Sequence, residues 1–313
     1  MLRTVLGRTN LTVSVAGLGC GGFSRLGLPK FGEEHAADIV RTAYDEGIDF
    51  FDTAEVYGTE PAVGIGLTGI SRDTYVLSSK FSYREEDGGM IQPDIFMKKL
   101  ENALRLLKTD YIDIYHIHAL AATDYPEVRE KLLPAMKKAQ EQGKIRFLGM
   151  TEQFAADTSH EMMKRVLPDD FFDVIMVGYN LLNPSAIISV LPLTRKNNVG
   201  TLCMFAVRSA LSDPEMLKKC IAYILEKGQA DPELLKEDGM LGFLTENRIA
   251  ESIMEAAYRF CRHTSGINTV LTGTGNVEHL KANIKSIQMA PLPKDILDRL
   301  DKIFGGVDCI SGQ

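Results

Sequence analysis

Eight short segments rich in β-branched and aromatic residues alternate with helix-like segments along this chain. The strand candidates lie near 13–18, 48–52, 75–79, 111–117, 145–150, 173–178, 200–205 and 267–272. Such segments are typical of parallel strands that are buried on both faces. Eight strand–helix units in 313 residues predict an α/β fold, a (β/α)8 (TIM) barrel, with residues 1–313 as one domain.

Two segments add detail to this predicted barrel. Residues 3–13 read as a β-hairpin with its turn at 7–10, and we expect the hairpin to close the bottom of the barrel. Two helices, near 214–227 and 247–262, make the connection between strands seven and eight longer than the others. Helical spacing of apolar residues also predicts single helices over 128–142 and 184–195.

Charge, cysteines and hydropathy limit the classes of protein to which the chain can belong. The net charge of −7 at pH 7 argues against nucleic acid as a partner. The five cysteines are scattered without a C-x-x-C pair, which argues against disulfides or a zinc site and for a cytoplasmic location. No apolar run approaches the roughly 20 residues of a membrane helix, and the N-terminus lacks the apolar core of a signal peptide.

A glycine-rich motif, G-x-G-x-x-G, spans residues 17–22 directly after the first strand candidate. In a Rossmann domain this motif opens a helix whose N-terminus holds the pyrophosphate of a dinucleotide. Here helical spacing begins only near Glu33, so the context of the motif is missing. We interpret the segment as a loop at the mouth of the barrel, close to a ligand.

Three titratable residues end consecutive strand candidates: Asp52, Lys80 and His118 end strands two, three and four, and Tyr57 follows Asp52 by five residues. The carboxyl ends of barrel strands carry the catalytic residues of such enzymes. We therefore predict that these four side chains form the active site. His116 and His118 are predicted to face opposite sides of the barrel wall, and each residue taken singly has an ordinary structural explanation.

The chemistry that this set predicts is delivery of a proton to a carbonyl oxygen. A free tyrosine has a pKa of about 10, and an adjacent ammonium such as that of Lys80 lowers it. Asp52 would hold the ammonium, and His118 would hydrogen-bond the substrate oxygen. The carbonyl carbon must also receive a hydride, which no side chain supplies, so a nicotinamide cofactor is implied. A metal-dependent hydrolase is disfavoured, because a lysine between His118 and Asp52 makes a poor metal site.

At these residues the sequence resembles the aldo-keto reductases, and the resemblance extends over essentially the whole chain. It rests on four segments, 52–58, 76–80, 110–118 and 143–149. The family fold is a (β/α)8 barrel that binds NADPH, or sometimes NADH, without a Rossmann domain. The resemblance implies that Tyr57 is the general acid, that Lys80 and Asp52 tune it, and that His118 orients the carbonyl.

The departures from the family pattern lie at the cofactor. Thr151 and Glu152 stand where a Ser-Asn pair usually holds the nicotinamide amide, and Met176 replaces a common glutamine. Met204 or Phe205 takes the place of the side chain that stacks on the nicotinamide. Arg208 is a candidate contact to the pyrophosphate, with a surface role as the alternative. The expected adenosine-phosphate contacts are Gly273, Thr274, Gly275, His279 and Asn283. The habit of the family favours NADP(H). NAD(H) stays open, because arginine or lysine is scarce where the 2′-phosphate of NADP(H) would lie.

The substrate is expected to be a small carbonyl compound, or an alcohol or sugar in the reverse direction. Candidate substrate contacts are Phe23, Phe81, Tyr83 and Phe154. The alternative function is a nicotinamide-binding protein that senses redox state with little turnover. The sequence leaves the identity of the substrate, the direction of the reaction and the oligomeric state open.

Overall fold

The computed structural model describes residues 1–236 and 240–313, and its centre is a closed barrel of parallel strands. The strands are β1 (Arg3–Val5), β2 (Thr12–Ser14), β3 (Ala16–Gly19), β4 (Phe50–Asp52), β5 (Val76–Phe81), β6 (Ile112–Leu120), β7 (Ile145–Glu152), β8 (Val174–Gly178), β9 (Gly200–Met204) and β10 (Thr269–Thr272). Strands β3 to β10 pair in sequence order, and β10 pairs with β3 to close the ring. The predicted eight-stranded barrel is confirmed.

Helices surround the barrel and fill the connections between its strands. Within the described residues they are α1 (Leu28–Asp45), α2 (Glu60–Gly66), α3 (Pro93–Leu107), α4 (Tyr125–Lys131), α5 (Leu133–Glu141), α6 (Glu161–Val166), α7 (Ala186–Ser189), α8 (Leu191–Lys196), α9 (Ser209–Ser212), α10 (Pro214–Glu226), α11 (Pro232–Lys236), α12 (Ile253–His263), α13 (Val277–Gln288) and α14 (Lys294–Phe304). The predicted long connection between the seventh and eighth barrel strands holds α9 to α12. None of the described helices is long and apolar enough to cross a membrane.

The N-terminal hairpin pairs β1 with β2 in antiparallel register and closes the lower end of the barrel. Its connection carries Leu6, which is fully buried and packs with Val13 in a cluster inside the barrel. The other members of that cluster are Phe50, Val76, Ile114, Val174, Met176 and Leu202. The lower part of the barrel is therefore an apolar core, and polar chemistry is confined to the upper part.

The structure corrects three predicted boundaries. The first strand candidate, 13–18, is divided between the hairpin strand β2 and the barrel strand β3. The predicted helices 128–142 and 184–195 are each two short helices. Both breaks lie next to a proline, Pro134 and Pro192, at the start of the second helix. A proline lacks the N–H of the helical ladder and clashes with the preceding turn, so it is tolerated only there.

The strand β6 corrects the predicted orientation of its two histidines. Tyr115 and Ile117 pack in the layer between the barrel and the helices, whereas Ile114 belongs to the interior cluster. Successive residues of a strand alternate between its faces. His116 and His118, two residues apart, therefore share the inward face with Ile114, and the predicted opposition was wrong.

Candidate active site

A buried ion pair joins the ends of the neighbouring strands β4 and β5. Lys80 Nζ donates to Asp52 Oδ2 at 2.7 Å and to the carbonyl oxygen of Thr53 at 2.6 Å. Ser78 Oγ donates to the other carboxylate oxygen, Asp52 Oδ1, at 2.7 Å. The Lys80 side chain is 0% exposed, so the ammonium group depends on these oxygens in place of water.

Tyr57 lies beside this ion pair on a short 3-10 helix, Glu55–Tyr57. The Lys80 Nζ atom is 4.9 Å from the centre of the tyrosine ring. The hydroxyl of Tyr57 is 3.5 Å from His118 Nε2, and the two rings meet edge to face. Gly21 of the loop after β3 covers the phenol, where a Cβ would lie 2.6 Å from the ring. The structure thus brings all four predicted catalytic side chains together.

Burial is the largest influence on the pKa values of Tyr57 and His118. It raises the pKa of Tyr57 above its usual value, and the opposing effect of the Lys80 ammonium is smaller. The sequence-based expectation of a lowered tyrosine pKa is therefore reversed in net direction, although Lys80 acts in the expected sense. Burial, assisted by the charge of Lys80, lowers the pKa of His118 to about 3. At neutral pH the site consists of a phenol and a neutral imidazole beside the Lys80–Asp52 ion pair.

Two polar residues that the sequence analysis did not place in the active site, His116 and Ser78, extend the site into the barrel. His116 is fully buried, and its Nε2 lies 3.1 Å from Ser78 Oγ. Ser78 in turn binds Asp52. Both residues stand two positions before a predicted catalytic residue on the same strand, Lys80 or His118, and period-two alternation could have identified them. Ser78 therefore binds the Asp52 carboxylate directly, and His116 contacts that carboxylate only through Ser78.

Glu152 is buried in a network of its own. Its carboxylate accepts from the backbone N–H of Gly178 at 2.6 Å and pairs with His160 Nδ1 at 2.9 Å. The ring of Phe154 stacks on His160 with the ring centres 5.3 Å apart. Burial raises the pKa of Glu152, and His160 opposes that effect. Glu152, which the sequence analysis predicted at the nicotinamide amide, thus joins β7 to β8. The sequence analysis missed His160 because no local sequence pattern marks it.

The neighbouring residues predicted at the nicotinamide are also engaged within the protein. Thr151 Oγ1 accepts from the backbone N–H of Ala119 at 2.7 Å and so fixes the segment after His118. Met204 packs against the interior cluster that contains Met176. Phe205 follows with a positive φ of 66° and packs edge to face against Phe154.

The glycine-rich loop after β10 packs closely against the loop after β3. A Cβ at Gly273 would overlap the carbonyl oxygen of Gly19, and one at Gly275 would overlap the backbone at Gly27. Thr274 Oγ1 accepts from the backbone N–H of Asn276, which begins the connection into α13. Next along α13, His279 is exposed, and Asn283 Nδ2 donates to Thr272 Oγ1 at 2.9 Å.

The four candidate substrate residues are placed differently. Phe81 is fully buried between the barrel and α3, where it stacks on Tyr115, because its neighbour Lys80 takes the inward face. Tyr83 is also buried, and its hydroxyl donates to Asp124. Phe154 is covered by the stacking described above. Phe23, with 76% of its surface exposed, is the candidate that stays open to solvent.

We predict that Glu152→Ala lowers the free energy of unfolding by about 2–4 kcal/mol. The change leaves a buried backbone N–H at Gly178 and the ring nitrogen of His160 without their acceptor. Urea denaturation measures the effect. Glu161→Ala, which removes an exposed carboxylate from α6, is the control and should change stability far less. Equal midpoints for the two variants would contradict a structural role for the buried network.

Comparisons with known proteins show the family and the fold of this chain. A family model described as the aldo/keto reductase family matches residues 17–304. An L-galactose dehydrogenase from Arabidopsis thaliana is 26% identical over 292 residues, which cover 90% of this chain and 86% of that protein. The holo form of an aldo-keto reductase from Bacillus halodurans superposes with a TM-score of 0.75 at 22% identity, covering 99% and 98% of the two chains.

A second solved structure, an aldo/keto reductase from Klebsiella pneumoniae in complex with NADP and acetate, has a TM-score of 0.68 at 22% identity and covers 99% of this chain and 98% of that one. At such identities the two structures establish a shared fold. The described residues contain no group of three or more histidine, cysteine or carboxylate side chains that could hold a metal ion. The family match confirms both the resemblance and the predicted class of NAD(P)H-dependent oxidoreductase: this chain belongs to the aldo/keto reductase family.

Proposed function

We propose that this protein reduces an aldehyde or ketone to an alcohol, or runs the reverse reaction on an alcohol or sugar, with Tyr57 as the general acid. The observation that carries the proposal is the position of one protonated phenol between His118 Nε2 and the Lys80 ammonium. A donor that is protonated at neutral pH and has a cation beside it is suited to give its proton to a developing alkoxide.

Each residue of the site has a separate role in this proposal. The substrate oxygen accepts hydrogen bonds from Tyr57 Oη and from His118 Nε2, which remains neutral because its pKa is about 3. Tyr57 then transfers its proton to that oxygen, and Lys80 stabilises the phenolate that is left. Asp52, fixed by Ser78, keeps the ammonium in place. A nicotinamide held at the mouth of the barrel would supply the hydride for the carbonyl carbon.

The cofactor is proposed to be NADP(H), with NAD(H) as the competitor. The loop at Gly273 and Gly275 brings bare backbone to the mouth of the barrel, ahead of a helix of 12 residues, α13, whose N-terminal end favours phosphate. Exposed His279 stands in the first turn. Lys281 lies on the same helix but forms an ion pair with Glu46 at 3.6 Å. The NADP in the Klebsiella pneumoniae structure supports NADP(H).

The test is a set of carbonyl compounds offered with NADPH and with NADH, followed by loss of nicotinamide absorbance. We expect turnover with at least one aldehyde or ketone and a lower dissociation constant for NADPH than for NADH. Absence of turnover across aldehydes, ketones, sugars and alcohols in both directions, in a protein that binds either cofactor, would refute the proposed activity.

One observation favours a second function, a redox-sensing protein that binds nicotinamide with little turnover. The Glu152 carboxylate already binds His160 and Gly178. It therefore has less capacity to accept a hydrogen bond from the nicotinamide amide. The complete set of four side chains around Tyr57 favours the enzyme. Tight binding of the cofactor without turnover, with the same cofactor affinity in Tyr57→Phe, would support the sensor.

A further inference from the structure

Arg208, in the loop after β9, forms no ion pair with any of the residues that the structure describes. Its Nε is buried with no hydrogen-bond partner among the residues described, and its Nη2 reaches Gln313 Oε1 only at 3.5 Å. Arg259, also buried, instead pairs with Glu255 at 2.9 Å and donates to three backbone carbonyls. A half-buried guanidinium is costly to leave unpaired, because burial removes water and nothing replaces it.

The guanidinium and the Tyr57 phenol lie under the same loop. Consecutive residues of the loop after β3 cover the two groups: Gly21 lies against the ring of Tyr57, and a Cβ at Gly22 would lie 3.5 Å from Arg208 Nη1. The positive charge of Arg208 is also among the influences that lower the pKa of Tyr57. A substrate whose carbonyl oxygen contacts Tyr57 would therefore lie within reach of Arg208.

Aromatic rings hold the guanidinium in this position. It lies 3.8 Å from the centre of the Phe205 ring and 5.9 Å from that of the exposed Phe23. Phe205 has a φ of 66°, a left-handed conformation that is unusual for a bulky residue. Stacking on aromatic faces fixes the plane of an arginine and leaves its N–H groups free for a carboxylate or phosphate.

We propose that Arg208 binds an anionic oxygen group of the substrate, so that the preferred substrates are carbonyl compounds carrying a carboxylate or a phosphate. This inference rests on the proposed carbonyl reduction. The competing occupant of Arg208 is the pyrophosphate of the cofactor. Adjacent residues of one loop, Gly21 and Gly22, cover Tyr57 and Arg208, and the substrate carbonyl must lie at Tyr57, so the substrate is favoured.

The test compares matched charged and neutral substrates. The carboxylate pair is para-carboxybenzaldehyde and its methyl ester, and the phosphate pair is glyceraldehyde phosphate and glyceraldehyde. We expect the wild type to have the higher kcat/KM for the charged member of at least one pair. Arg208→Gln should reduce that preference by about 10–100-fold, and Arg208→Lys should lose part of it because the planar fork is gone. Arg129→Gln, which removes an exposed arginine that pairs with Asp169, is the control for net charge.

Binding provides a readout that does not need turnover. Calorimetry of benzoate and benzamide with the protein saturated with NADP⁺ should show tighter binding of benzoate, and Arg208→Gln should weaken benzoate alone. If no carbonyl compound is reduced but this pattern of binding appears, the proposed activity fails while the anion site stands. Equal binding of benzoate and benzamide together with no preference for a charged substrate overturns the anion site. So does a variant that keeps the wild-type preference and loses affinity for NADP⁺.

Discussion

Tyr57→Phe should lower kcat for carbonyl reduction by about 10²–10⁴-fold and leave the dissociation constant of the cofactor near its wild-type value. The phenylalanine keeps the ring that packs against Gly21 and His118 but has no proton to give. Steady-state kinetics and a titration of NADPH measure the two quantities. Tyr223→Phe, at a half-exposed tyrosine of α10, is the control and should keep full activity.

The pH dependence of the wild type checks the same role. Because burial raises the pKa of Tyr57 above its usual value, the acid form persists through neutral pH. The kcat/KM for reduction should therefore show no loss due to Tyr57 at neutral pH, and should fall as the pH rises through the raised tyrosine pKa. A Tyr57→Phe variant with near wild-type kcat would remove Tyr57 from the proposed role. So would a wild-type kcat/KM that increases, and does not fall, as the pH rises through the tyrosine pKa.

Lys80→Met should lower the free energy of unfolding by about 3–5 kcal/mol and abolish detectable reduction. The change leaves the buried carboxylate of Asp52 with Ser78 but without its cation. Urea denaturation and the kinetic assay measure the two effects. Lys98→Met, at a lysine whose side chain is 72% exposed, is the control and should alter stability by less than about 1 kcal/mol.

A double variant separates the loss of stability from the loss of activity. Asp52→Asn added to Lys80→Met removes the buried charge, and its amide oxygen still accepts from Ser78. Stability should recover in large part, because the cost of the single variant lies in an unpaired charge. Activity should stay low, because no ammonium faces Tyr57. A single variant as stable as the wild type would show that the ion pair does not matter to the fold.

The sequence by itself determined the barrel and the meeting of the predicted catalytic residues. Hydrophobic runs fix where strands end, and the carboxyl ends of parallel barrel strands must lie at one mouth. The positions of Asp52, Lys80 and His118 at the ends of consecutive runs were therefore enough to predict that they meet. Their spacing also carried the resemblance to the family, which the family match later confirmed.

Only the tertiary structure decided the partners and the burial of these side chains. His160 and Gly178 hydrogen-bond Glu152 because β7 and β8 pair in a register that no local sequence pattern predicts. The net pKa of Tyr57 depends on how completely loops from elsewhere in the chain exclude water, which outweighs the neighbouring ammonium. Local sequence sets which residues end a strand, whereas desolvation and pairing depend on segments that are distant in the chain and become neighbours only when it folds.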